Sequence, residues 1–193
     1  MIVKQELSDR ILIALRQSGV LDIAARVHAQ RLAEYEKDFS IDPRTRVPAP
    51  LREARKIQEQ VSQHGPEILA SLLMPAMEYA AARWAQMSDP QIAEAFPYFR
   101  YTCFCSASER PGHKEKDGLI LPRDHPFWMV WYPPNGMGCG CSASSVSESA
   151  LQTRSWRVSE NLAFAYPFPD EGFDFNIGIA AGASDFRDPY EER

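Results

Sequence analysis

The feature that most constrains the fold of this chain is a change of sequence character at Phe96-Pro97. Before this point, apolar residues recur every three or four positions, a spacing that places them on one face of a helix. After it, aromatic residues, prolines and glycines become frequent, and residues 98–104 have the β-prone, alternating pattern of a strand. The sequence therefore predicts an α+β fold, with a helical N-terminal half followed by a small, loop-rich α+β region.

Two helices are predicted at the start of the chain. Residues 7–18 carry apolar side chains at spacings of three and four, and Gly19 follows where a left-handed C-terminal residue would end a helix. Asp22 is the expected N-cap of a second helix, over residues 22–37.

Two more helices are predicted after a loop. Residues 40–50 carry three prolines and favour the loop. A third helix then ends at Gly65, and Pro66 begins a fourth that reaches residue 87, with a kink or division expected at Pro75. The expected core residues of this fourth helix are Ile68, Leu69, Leu72, Leu73, Tyr79 and Trp84.

The second half is predicted to contain short elements. Asp89 caps a brief helical turn, residues 119–121 and 140–146 are expected to be strands, and residues 147–154 a short helix. Residues 170–193 hold seven acidic residues and two arginines, and are expected to form an exposed, partly flexible tail.

These elements suggest three regions. The helical N-terminal region is predicted to span residues 1–96, and the loop-rich domain residues 97–178. Residues 179–193 are assigned to an acidic tail.

Charge and hydropathy restrict the expected partners. A net charge of -5 and an isoelectric point near 5.4 argue against direct DNA binding, because affinity for phosphates depends on clustered Lys and Arg. No apolar run approaches the roughly twenty residues that span a bilayer, so a chain without a membrane segment, made and kept in cytoplasm, is expected. Four cysteines in two Cys-x-Cys pairs do not form a secreted disulfide scaffold of this length.

Histidine and cysteine residues in the second half offer a candidate metal site. His113, Cys139 and Cys141 supply the nitrogen and sulfur ligands that zinc takes, and Asp117 and His125 are further candidates. A Cys-x-Cys pair within a strand points its side chains to opposite faces, so both sulfurs can reach one ion only at a turn or bulge.

Three alternatives stand beside the metal site. Burial alone accounts for cysteines such as Cys103 and Cys105, because free cysteine behaves as a small hydrophobe. A hydrolytic site is the second alternative, with His113 and Asp117 or Asp124 as base and orienter and Arg110 as anion stabiliser; no Gly-x-Ser-x-Gly, Gly-rich phosphate loop or His-Glu-x-x-His motif supports it. Redox-active cysteines are the third, and no Cys-x-x-Cys motif supports them.

The second half of the chain contains an ordered string of motifs. They are Arg110-Pro111-x-His113, Asp117-Gly118, Leu121-Pro122, His125-Pro126-Phe127-Trp128 and Tyr132-Pro133-Pro134-Asn135-Gly136-x-Gly138-Cys139-x-Cys141, with a later Gly172-Phe173-Asp174-Phe175-Asn176. The string resembles the phage head-morphogenesis family typified by the Mu protein F, the MuF-like minor head proteins, and the later element is similar to one that follows the domain in that family.

The resemblance implies a minor head protein of a tailed phage or prophage, located in the host cytoplasm during assembly and then in the virion head. It implies association with the portal protein or the major capsid protein through the N-terminal helices, a role in head morphogenesis or DNA packaging and ejection, and an oligomeric state in the particle. The apolar segment 69–87 is a candidate partner surface, with intramolecular packing as the alternative. A metal-dependent hydrolase, nuclease or toxin-like effector on the same domain is the alternative function.

This chain departs from the family pattern at three positions. Met137 stands where a Trp is usual, and Gly140 where a basic residue, commonly Arg, is usual. The resemblance therefore implies a loop that lacks that anion contact. Lys116 replaces the usual Leu before Asp117, so a more exposed turn is expected there.

Overall fold

The structure is a computed structural model that describes residues 2–38, 49–104, 110–159 and 169–183. Its three strands are β1 (Tyr98–Thr102), β2 (Ile120–Pro122) and β3 (Ser142–Val146). A 3-10 turn lies at Pro66–Leu69. The helices are α1 (Ile2–Gln17), α2 (Val20–Asp38), α3 (Ala49–His64), α4 (Ala70–Ser88), α5 (Pro90–Ala95), α6 (Pro111–Glu115), α7 (Phe127–Trp131), α8 (Glu148–Thr153) and α9 (Ile177–Ala180). The predicted α+β fold with a helical N-terminal half is confirmed.

At the junction between α1 and α2, Gly19 has the predicted conformation, but the predicted N-cap of α2 is wrong. Gly19 has a φ of 70°, the left-handed conformation expected at the end of α1. The prediction that Asp22 caps α2 is wrong, because the helix has already begun at Val20. The amide of Ile23 donates to the carbonyl oxygen of Gly19 at 3.2 Å, so the glycine itself accepts a bond from the first turn of α2.

Helix α4 differs from its prediction in two ways. Pro75 lies inside the helix without dividing it, and the helix is continuous from Ala70 to Ser88. Leu72 and Tyr79, both expected in the core, are 51% and 67% exposed. The opposite face of the helix packs inward instead, through Leu73, Met77, Ala80 and Ala81.

The three strands form one antiparallel sheet in the order β2-β1-β3. Phe99 of the central strand pairs with Leu121 on one side and Ser145 on the other. Phe99 and Tyr101 are buried while their neighbours along the strand are only half-buried, which confirms the predicted alternation. The predicted loop over residues 40–50 lies outside the described residues except for its last two, which begin α3.

Helices and sheet share one hydrophobic core. Trp84 of α4 packs edge-on against Tyr132, with ring centroids 4.9 Å apart. A side chain at Gly178 would overlap Trp84, so a glycine at this position allows α9 to lie directly against α4. Within the described ranges, no helix is both long enough and apolar enough to cross a lipid bilayer.

The expected exposed tail is wrong for residues 170–183. Phe173, Ile177 and Ala183 are each no more than 2% exposed, because this segment packs on α4 and α7. Residues 184–193 lie outside the described part of the chain. In the turn that was expected to be more exposed, Asp117 is exposed, but Lys116 itself is buried, with its ammonium group 5.5 Å from the ring centre of Trp131.

Candidate functional site

Three of the predicted site residues come together in the fold. The ligand atoms of His113, Cys139 and Cys141 all lie within 4.8 Å of one another. The Nδ1 atom of His113 is 3.6 Å from the sulfur of Cys139 and 3.6 Å from the sulfur of Cys141. One nitrogen and two sulfurs therefore converge on a single point.

Short elements position the histidine. Pro111 begins α6, where its missing N–H costs no hydrogen bond, and His113 lies two residues later in the same turn. The His113 side chain is 3% exposed, and its ring meets Trp131 edge-on at 5.6 Å. Packing against α7 thus leaves the imidazole little freedom.

A turn before β3 brings the two cysteines to the same side. The amide of Cys139 donates to the carbonyl oxygen of Gly136 at 3.1 Å, and Gly138 has a φ of 66°. The amide of Cys141 donates to the sulfur of Cys139 at 3.4 Å. Because both cysteines precede the first residue of β3, the opposite-face geometry of a regular strand does not apply.

Asp170 completes the cluster, although the sequence did not predict it as a site residue. Its Oδ1 lies 3.4 Å from Nε2 of His113, and its Oδ2 lies 3.0 Å from Nη1 of Arg110 and 3.6 Å from Nη2 of Arg31. The backbone amide of Asp170 donates to the carbonyl oxygen of Asn135 at 3.0 Å. No local sequence signal distinguishes this aspartate from the other acidic residues of the segment that was expected to be an exposed tail.

Gly136 is required by the same arrangement. A Cβ atom at this position would overlap the carboxylate of Asp170 and the guanidinium of Arg110. The second amino group of that guanidinium donates to the carbonyl oxygen of Met137. The absence of a side chain at Gly136 therefore allows the backbone to approach the ion pair closely.

Electrostatics favour opposite charges in the cluster. Burial opposes a charge on His113, but its polar contacts with Asp170 and Cys139 outweigh burial and raise the pKa of His113 to about 9. A hydrogen bond from Cys141, helped by His113, lowers the pKa of Cys139 to about 4. The resulting thiolate raises the pKa of Cys141. The two sulfurs thus share one negative charge beside the imidazolium.

The other candidates lie elsewhere. Asp117 accepts hydrogen bonds from the Cys103 amide and the Lys114 ammonium group, and it is not part of the cluster. His125 accepts a hydrogen bond from the amide of Phe127 through Nδ1 at 3.1 Å, so it braces the start of α7. Cys103 is buried and disulfide-bonded, and supplies no free thiol.

The cluster borders a cleft of about 550 Å³. Cys139 and Cys141 line it on one side, and Arg31 and Arg110 contribute positive charge. Gly140, where the family resemblance implies a basic residue, lines the same cleft. The remaining lining residues are Phe104 and Gly138.

This arrangement suits metal binding better than hydrolysis. Two sulfurs and one imidazole nitrogen are the ligand types that zinc takes in proteins. The hydrolytic alternative needed Asp117 or Asp124 beside His113. Asp117 is engaged by Lys114 and Cys103 instead, and Asp124 is not part of the cluster either. The carboxylate that does contact His113 is Asp170, which two arginines also hold.

Comparisons with known proteins agree with the motifs. The family model described as Phage Mu protein F like protein matches residues 53–144. A Haemophilus influenzae protein named Mu-like prophage FluMu F protein is 36% identical over 83 residues, which is 43% of this chain and 20% of that protein. The chain thus spans about a fifth of the length of the curated relative it matches, and no solved structure matches it significantly. Residues 53–144, which include His113, Cys139 and Cys141, are therefore similar to the Phage Mu protein F-like family, as the ordered motifs predicted.

Proposed function

We propose that this protein is a minor head protein of a tailed phage or prophage and acts in head morphogenesis. The observation that carries the proposal is the family match over residues 53–144, which includes the whole string of motifs from Arg110 to Cys141. The similarity to a protein named for a Mu-like prophage points in the same direction. The proposed location is the host cytoplasm during assembly and then the virion head.

We further propose that the N-terminal helices bind the portal protein or the major capsid protein. Leu72 and Tyr79 of α4 are 51% and 67% exposed and lie two helical turns apart, on one face. Pro75 and Ala76, between them, are exposed as well. An apolar helix face of this kind fits a groove on a protein partner.

The role in DNA packaging or ejection is proposed to be indirect. A net charge of -5 disfavours contact with a polyanion, whose affinity for proteins comes from neutralisation of its phosphates. The protein would therefore act through the protein components of the head. An oligomeric arrangement in the particle is part of the proposal.

The test is incorporation into heads. A tagged copy of the full chain is expressed during assembly of its phage, heads are purified, and crosslinked partners are identified by mass spectrometry. We expect the chain in heads, crosslinked through α4 to portal or major capsid protein. A chain that is absent from heads and forms no crosslink to either protein would contradict the proposal.

A charge-matched pair of variants tests the proposed surface. L72E/Y79E places two carboxylates on the exposed face of α4 and is expected to reduce incorporation at least tenfold. Q30E/Q60E adds the same charge at exposed positions on α2 and α3 and is expected to incorporate normally. Equal incorporation of both variants would assign the contact to another surface.

A further inference from the structure

We propose that His113, Cys139 and Cys141 bind one zinc ion, and that Asp170 is the positioning residue that holds His113 in the orientation of a ligand. The proposal is independent of the head function, because zinc content and incorporation into heads are measured separately. It rests on the convergence of these four side chains from three segments of the chain.

The two nitrogen–sulfur separations match a tetrahedral ion. Zinc lies about 2.3 Å from sulfur and about 2.0 to 2.1 Å from nitrogen, so tetrahedral angles place a nitrogen and a sulfur ligand about 3.6 Å apart. Nδ1 of His113 is 3.6 Å from each sulfur. A single N–H group cannot point at two sulfurs at once, whereas one ion between the three atoms satisfies them all.

Asp170 supplies the carboxylate that metal-bound histidines usually contact. When one ring nitrogen of a histidine binds a metal, the other commonly donates to a carboxylate, which fixes the tautomer and the ring orientation. Here Nδ1 faces the sulfurs and Nε2 faces Asp170 Oδ1 at 3.4 Å. Arg110 and the Asn135 carbonyl in turn fix Asp170 from its side chain and from its backbone.

The charges of the site are compatible with the ion. Two thiolates and a neutral imidazole around Zn²⁺ give no net charge, and the ion pair between Asp170 and Arg110 is also neutral. Without a cation, two sulfurs and a carboxylate would surround one buried ring. A bound Zn²⁺ would lie between these groups and leave the buried site without net charge.

The ion would also fix the loop that carries Cys139 and Cys141, which belongs to no helix or strand. Cys139 and Cys141 lie between the end of α7 and the start of β3, whereas His113 lies on α6. A metal crosslink between the loop and α6 replaces the hydrogen bonds that a strand would have made. Because the sulfurs border the cleft, a chelator can reach the ion from solvent.

The experiment uses the full chain, purified and then stripped of metal with a chelator. Titration with Co²⁺ is expected to give a thiolate-to-cobalt charge-transfer band that saturates at one ion per chain and disappears when Zn²⁺ displaces the cobalt. Zinc is also expected to protect Cys139 and Cys141 from alkylation. Overturning results are a chain that binds neither ion more tightly than its C139S/C141S variant, or alkylation that zinc does not slow.

Variants separate the ligands from the positioning residue. Asp170→Asn is expected to weaken zinc binding by roughly 10- to 100-fold, the usual effect of removing such a carboxylate, and Asp170→Glu to restore part of it. The matched control is Glu171→Gln, which removes the neighbouring carboxylate, a surface partner of Arg26, and leaves zinc affinity unchanged. Equal zinc affinity of Asp170→Asn and wild type would overturn the positioning role. If the cysteine variants do not fold, the alkylation of wild-type protein decides the ligand assignment.

Discussion

The helical half and the loop-rich half of this protein are stabilised in different ways. In α1 to α4, the buried residues are mainly small or aliphatic side chains such as Leu15, Leu73 and Ala81, and several hydrogen bonds and ion pairs join residues three or four apart on exposed faces. In the loop-rich half, buried polar groups are paired over long distances in the sequence. Tyr101 donates to Asn135, and Asn176 donates to the carbonyl oxygen of Trp128.

The difference indicates where each half tolerates change. An aliphatic helix contact accepts another apolar side chain of similar volume at small cost. A buried polar pair does not, because removal of one partner leaves the other buried without a hydrogen bond. The loop-rich half should therefore be the more sensitive to substitution, even though it contains less regular secondary structure.

The largest expected effect comes from Trp128→Ala. Trp128 is 1% exposed, its ring meets Phe99 and Phe127 edge-on, and its Nε1 donates to the carbonyl oxygen of Pro122. Its removal is expected to lower the free energy of unfolding by about 3–5 kcal/mol, a large part of the roughly 5–15 kcal/mol typical of a folded domain. Urea unfolding followed by circular dichroism measures the change.

The control is an aromatic residue of the helical half. Tyr79→Ala removes a ring that is 67% exposed and should change the unfolding free energy by less than about 0.5 kcal/mol. Comparable losses for the two variants would mean that the halves do not differ as described.

A smaller effect is expected from Asn176→Ala. The Asn176 side chain is buried, donates to the carbonyl oxygen of Trp128, and accepts hydrogen bonds from the amides of Gly178 and Ile179. Its loss removes the cap of α9 and leaves a buried carbonyl without a donor, so about 2–3 kcal/mol of stability should disappear. Thermal and urea unfolding of the purified variant measure it.

Asp89 provides the matched cap in the helical half. It accepts hydrogen bonds from the amides of Gln91 and Ile92 at the start of α5, and its surroundings are more exposed. Asp89→Ala is expected to cost about 1 kcal/mol, as for an ordinary N-cap. A loss equal to that of Asn176→Ala would show that the buried carbonyl contributes nothing.

Helices and strands were largely predictable from the sequence because their signals are local. Gly19, Gly65 and Pro66 mark helix ends, and the alternation along β1 marks the buried face. The exposure of Leu72 and Tyr79 was not predictable, because the apolar character of a helix residue does not show whether its face of the helix meets the core. The burial of residues 170–183 was missed because their acidic composition suggested solvent exposure.

The candidate site was predictable only in part. His113, Cys139 and Cys141 could be named from residue type, since nitrogen and sulfur ligands are distinctive in any sequence. Whether the two cysteines face one point depends on the turn between Gly136 and Cys139, which pattern alone does not determine. Asp170 reaches the site only through the packing of a distant segment, and no spacing rule connects it with His113.

The smallest expected effect concerns Asp117, which forms an ion pair with Lys114 in the loop-rich half. A hydrogen bond from Lys114, and then one from the amide of Cys103, lower the pKa of the Asp117 carboxyl. A carboxyl whose pKa is lower in the folded state stabilises the fold above its unfolded pKa of about 3.9, and this contribution is lost as the pH falls through the folded value.

Asp117→Asn should therefore cost at most about 1 kcal/mol near neutral pH, since the carboxylate is partly solvated. The difference from wild type should shrink as the pH falls through the lowered folded pKa of Asp117, below which both proteins carry a neutral side chain at this position. The free energy of unfolding is measured across this pH range in the presence of a chelator, so that no bound metal contributes to it. Asp124→Asn is the control, because Asp124 is exposed and has no ion pair among the described residues. A loss of stability in Asp117→Asn that does not change with pH would mean that the substitution disturbs packing rather than removing a charge. The contact of Asp117 would then resemble the aliphatic contacts of the helical half.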